Sequence, residues 1–110
     1  MARSSPPLED LRLEERLIFA AKIRAARAVL NWSQVDLAGR VGVAQPSIHR
    51  IEQGSVDVRR STAIAIERAF IEAGIRFEDL EDGGFKLVVP RKAGTEVRPQ
   101  GNPLSGDDVN

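Results

Sequence analysis

The chain of 110 residues contains no cysteine and a single histidine, His49, and its net charge is zero. Without cysteine there is no disulfide framework, no thiolate metal site and no cysteine nucleophile. One histidine cannot build a multi-histidine cluster, so neither a metal nor another cofactor is expected. Long apolar runs are missing too. No stretch approaches the ~18 consecutive apolar residues of a membrane span. Met1–Pro7 lacks the apolar segment of a signal peptide, so a cytoplasmic location is the default expectation. Catalytic constellations are equally scarce. The carboxylate pairs Glu14/Glu15 and Glu81/Asp82 are adjacent in sequence and do not face one pocket. No Ser–His–Asp order stands out, and Gly83-Gly84 lack the strand and helix of a phosphate loop. An enzyme is not expected. What is present, 42% hydrophobic residues and a mean hydropathy of −0.24, fits one small globular domain.

The zero charge is an average. Residues 1–21 carry three basic and four acidic side chains, and residues 61–110 six basic and nine acidic. Between them, residues 22–60 hold seven basic groups against Asp36, Glu52 and Asp57, a net of +4. Screening acts over about 10 Å at ordinary salt, so a partner senses the local patch rather than the sum. Charge alone leaves a basic binding surface and ordinary scatter both open.

Residues 1–7, with Ser4-Ser5-Pro6-Pro7, read as a flexible tail, and residues 91–110 are too polar to fold. Residues 8–74 read as helical. Phe19, Ile23, Ala26 and Leu30 recur at the spacing of an amphipathic helix, which begins near Leu8 to Leu13 and ends at Asn31-Trp32. Ser33 is an N-cap for a second helix over 34–41, and Gly42 suits the left-handed residue after it. A third helix spans about 45–53, with Pro46 in its first turn and Gly54 as its stop. Ser61 or Thr62 caps a fourth helix that ends before Gly74. The period then changes from 3.6 to 2. Ile75 and Phe77, then Phe85, Leu87 and Val89, alternate with other residues around Glu81-Asp82-Gly83-Gly84, predicting a β-hairpin over 75–90. An isolated hairpin is marginal in water, so it packs on the helices or pairs with another chain.

Two short helices joined at Val41-Gly42-Val43 form the pattern of a helix-turn-helix. Val43, Ile48 and Ile51 supply an inner face for the third helix. The outer face then presents Gln45, Pro46, His49 and Arg50, with no acid among them. A major groove about 12 Å wide admits one such helix. The stretch from Trp32-Ser33-Gln34 through Leu37-Ala38, Gly42-Val43, Ser47-Ile48 and Ile51-Glu52-Gln53-Gly54 resembles the Cro/C1-type helix-turn-helix family, also called the Xre family. The likeness covers about residues 20–73, and Ala44 departs from it where the family favours a Ser or Thr cap.

The resemblance implies a mainly α fold, a lambda repressor-like domain of four to five helices carrying the C-terminal β-hairpin. It implies DNA contacts from Gln34, Gln45, Pro46, Ser47, His49, Arg50, Arg59 and Arg60. Among these, Gln34 meets a phosphate, Gln45 an adenine or phosphate, and Arg50 a guanine. Arg27 and Glu52 match a pair that ties the first helix to the third. Arg24 and Arg40 read as solvated charges, and Trp32 as core. The expected partner is double-stranded operator DNA, beside the nucleoid. A repressor working as a homodimer follows, because one recognition helix covers only a few base pairs. The hairpin, the fourth helix and the first helix are all candidate dimer surfaces. The second functional class is an antitoxin or protein-binding adaptor. There Glu78–Asp82 would meet a basic protein partner, although a solvated turn explains that stretch as well.

Overall fold

The computed structural model describes residues 8–91. The tails expected at 1–7 and 91–110 lie, apart from Arg91, outside the described residues. Four helices come first: α1 (Leu8–Leu30), α2 (Gln34–Val41), α3 (Gln45–Glu52) and α4 (Arg60–Glu72). A hairpin of β1 (Arg76–Asp79) and β2 (Phe85–Val88) follows. The fold is therefore mainly α with a C-terminal β-hairpin. None of the described helices is long and apolar enough to cross a membrane.

Local chemistry sets each helix end. Asn31, at φ 59°, closes α1. The Trp32 amide donates to Arg27 O at 2.9 Å and the Asn31 amide to Ala28 O at 3.2 Å, the paired bonds of a Schellman motif. Asparagine tolerates this left-handed backbone better than other residues with a Cβ. Ser33 then opens α2 with a capping box: its hydroxyl accepts from the Asp36 amide, and the Asp36 carboxylate accepts from the Ser33 amide. Both bonds satisfy donors that the first helical turn leaves without partners.

Two boundaries differ from the sequence expectation. Helix α4 begins at Arg60, with Arg59 as N-cap and no side-chain bond, rather than with a Ser61 or Thr62 cap. Docking of Ile66 and Phe70 into the core holds this helix more firmly than its cap does. Helix α3 stops at Glu52 with Gln53 as its C-cap, one residue short of the expected end.

The core draws on every helix. Ile23, Ala26 and Leu30 of α1 meet Leu37 and Ala38 of α2, Ile48 and Ile51 of α3, and Ile66, Ala69 and Phe70 of α4, with Trp32 and Ile75. Trp32 stacks on Phe70, their ring centroids 5.7 Å apart. The hairpin folds back onto this core. Phe77 packs edge-on against Phe70 and Phe85. Lys22 of α1 donates to Asp79 at 2.9 Å and lies over both the Phe77 and Phe85 rings. Its Glu78–Asp82 stretch is largely engaged within the chain. Besides Asp79 with Lys22, Glu78 pairs with Lys86, and Asp82 accepts from the Gly84 amide. These contacts engage three of the four acids of the stretch within the chain.

Gly54 ends α3 at φ +69°, and a Cβ there would lie 2.8 Å from Cδ2 of Leu17 on α1. The leucine end can rotate away, but the backbone strain of a left-handed alanine stays, at about 1–2 kcal/mol. Gly54→Ala is therefore expected to lower Tm by roughly 4–16 °C. A melt that superimposes on the parent would show that the turn can relax to negative φ.

Candidate nucleic-acid interface

Helices α2 and α3 meet across the turn at Gly42, whose φ of +87° reverses the chain tightly. Ile48 and Ile51 point from α3 into the core, and this fixes which side of the helix faces out. The exposed side carries Pro46, His49 and Arg50, with Gln45 and Ser47 partly covered at its start. Its N-cap is Ala44 without a side-chain bond, so the first turn of α3 keeps amide donors that no cap side chain occupies. Glu52, the acid of this helix, is turned the other way and is 4% exposed. The outward face is thus rich in donors and free of carboxylates.

Glu52 anchors a directed polar chain. Arg27 grips it with two bonds, Nε to Oε2 at 2.5 Å and Nη2 to Oε1 at 2.8 Å, and gives a third from Nη1 to Trp32 O. Hydrogen bonding to Glu52 raises the Arg27 pKa above its ordinary value; burial opposes this, and the nearby carboxylate charge adds to it. Glu52 Oε1 also accepts from Gln34 Nε2 at 3.1 Å, and Gln34 Oε1 accepts from Gln45 Nε2 at 2.6 Å. The polarity of the chain is set by its charged end. A carboxylate held by a guanidinium can only accept, so the Gln34 amide must point its nitrogen inward and its oxygen toward Gln45. Gln45 must then donate, which leaves its own Oε1 and one N–H for an outside partner.

The remaining expected site residues separate into two groups. Arg27, Gln34, Gln45 and Glu52 are brought together in this chain. Arg59 and Arg60 lie at the start of α4, both exposed, in a first turn with no acidic residue. Positive charge at a helix N-terminus opposes the macrodipole at about 0.3–1 kcal/mol, so these arginines are poorly placed for the stability of α4. The guanidinium of Arg50 makes no ion pair among the described residues and extends from an exposed position.

Two arginines read as solvated charges have structural partners instead. Arg24 donates to Glu52 O at 2.6 Å. Arg40 lies 4.1 Å from the centroid of the Trp32 ring, on a tryptophan that also stacks on Phe70. Nothing in the local pattern marks either role, because both depend on how α1, α2 and α3 dock. The Gln34–Gln45 contact was unmarked for the same reason.

Comparison with known proteins agrees with this geometry. A helix-turn-helix domain family matches residues 18–70. An uncharacterized HTH-type transcriptional regulator of Methanocaldococcus jannaschii is 36% identical over 59 residues, which cover 54% of this chain and 85% of that protein. No solved structure matches the chain.

Proposed function

We propose that this chain, which belongs to the helix-turn-helix transcriptional regulators, is a repressor that reads a palindromic operator as a homodimer. DNA-binding regulation itself comes with the family. The observation that supports base reading by α3 is its outward face, where Gln45, Pro46, His49 and Arg50 stand together without an acid. In the major groove this face meets base edges. Gln45 offers adenine an acceptor for N6–H and a donor for N7, and Arg50 forks onto guanine O6 and N7. Ser47 and His49 supply hydrogen bonds beside them, and the Pro46 ring supplies an apolar contact.

The phosphate contacts lie around this reading head. Gln34 has one amide N–H left after bonding Glu52, and it stands in the first turn of α2. Arg59 and Arg60 meet the backbone next to α3, where their charge is useful to DNA and of no use to α4. Two copies bound one turn apart, roughly 34 Å, give the operator its symmetry.

Selection of bound duplexes from a random DNA pool, with the parent and with Arg50→Ala, tests the reading. The parent is expected to enrich an inverted repeat, and the variant to lose preference at one position in each half-site. Enrichment of one sequence with equal strength by both proteins would remove α3 as the reading helix. A site without an inverted repeat would remove the symmetric dimer.

A further inference from the structure

The two-stranded sheet has two outer edges, and they differ. The Leu80 amide donates to Gly84 O at 2.8 Å, and the register pairs Glu78 with Lys86 and Arg76 with Val88. In an antiparallel ladder hydrogen-bonded pairs alternate with pairs that are not. Residues 84, 86 and 88 therefore turn their backbone groups toward β1, while Phe85, Leu87 and Val89 turn theirs outward. Among the described residues no backbone bond from another element reaches this outer edge.

Sheet edges are ordinarily blunted by charge, proline or bulges. The β1 edge fits that rule, with Arg76, Glu78 and Asp79 on a strand of four residues. The outer strand reads Phe85-Lys86-Leu87-Val88-Val89 and has one charge, and Lys86 is already paired with Glu78 across the hairpin. Proline comes only at position 90.

We infer that the outer edge of β2 pairs antiparallel with β2 of a second copy, about a two-fold axis at Leu87, and forms a four-stranded sheet. This rests on the homodimer reading above and names its surface. The occupant follows from the symmetry of the strand. With Leu87 opposite its own copy, Phe85 faces the partner's Val89, and all three outward-bonding residues meet outward-bonding residues. Lys86 falls opposite the partner's Val88 and not opposite the partner's Lys86, so the pairing brings no like charges into register. Pairing of β1 with its copy about Phe77 would set Arg76 opposite the partner's Glu78, but three charges in its four residues are the ordinary guard of an edge against pairing. Five residues of edge cover less than the ~800 Å² per partner of a standard interface, so the dimer is weak alone and closes on DNA that carries two half-sites.

Deleting the hairpin would be a poor test, since Ile75 belongs to the core and Phe77 packs against it. The absence of cysteine permits a sharper one. Lys86 and the partner's Val88 form a non-hydrogen-bonded pair with Cα atoms about 4.5 Å apart, inside the range a disulfide spans. Full-length Lys86→Cys and Val88→Cys chains are oxidised separately and mixed, with and without duplex carrying an inverted repeat, after circular dichroism and Tm show both to be folded. The mixture is expected to give at least fivefold more cross-linked dimer than either chain alone, with DNA raising the yield. Equal or absent cross-linking in a protein that sediments as a dimer on DNA would overturn the edge pairing and leave the homodimer. A protein that binds DNA only as a monomer would overturn both.

Discussion

Glu52→Gln is expected to lower Tm by roughly 12–24 °C. The reason is the number of groups that depend on one buried carboxylate. It accepts both bonds from Arg27 and one from Gln34. A neutral amide there presents an NH2 to at least one donor and leaves the Arg27 charge inside the fold without its counter-ion. Breaking such a pair costs about 3–5 kcal/mol, and the lower end applies because the Arg27 side chain is 20% exposed. A domain of this size loses roughly 4–8 °C per kcal/mol. Replacing both partners, Arg27→Met with Glu52→Leu, is expected to recover most of the loss, since apolar pairs often substitute for buried ion pairs without cost. Thermal melts of the parent, the single variant and the double variant separate the two effects. If the single variant melts with the parent, the pair has no structural role.

The sign of the pH dependence follows from Arg27. Its pKa is raised in the folded protein, so the arginine side of the stabilisation is fully present at neutral and mildly alkaline pH. That side is lost as strongly alkaline solution removes the proton. Tm differences between parent and Glu52→Gln are therefore expected to hold constant from pH 6 to 9.

How much of this could be read from the residues alone depends on the range of the interactions. Elements set by neighbours in sequence were legible. Ser33 with Asp36 three residues on announces the start of α2, and the alternation of Ile75 and Phe77 announces β1. The bounds of α4 slipped because Arg59 and Arg60 open it without a cap bond, so no local signal marks its first turn. The hairpin left two uses open, and the structure occupies its inner face with the helices while, among the described residues, no backbone bond from another element reaches the β2 edge. The polar chain through Gln34 was out of reach. Its members come from three helices, and only their docking angles bring the amides within bonding distance. Arg24 and Arg40 show the same limit: a charge acquires its partner from tertiary placement.

Gln45→Ala is expected to weaken binding to the selected operator by about 5- to 150-fold, the range of a good bidentate base contact. The affinity for unrelated duplex should change little, because Gln45 reads a base edge in this mechanism and phosphate contacts dominate nonspecific binding. Gln34→Ala should also weaken operator binding, for two reasons that a double-mutant cycle separates. It removes a phosphate contact, and it releases Gln45 from the bond that sets its amide orientation. The orientation part vanishes when Gln45 is already alanine. The double variant is therefore expected to bind more tightly than the two single losses would add up to, by about 0.5–3 kcal/mol of coupling. The phosphate part survives in the double variant and appears as a loss of similar size on unrelated duplex, because phosphate contacts do not depend on base sequence. Affinities for the operator and for unrelated duplex, measured with the parent and all three variants, decide the matter. Strict additivity would mean that Gln34 and Gln45 meet the DNA independently, and that the chain from Arg27 to the groove ends at Gln34.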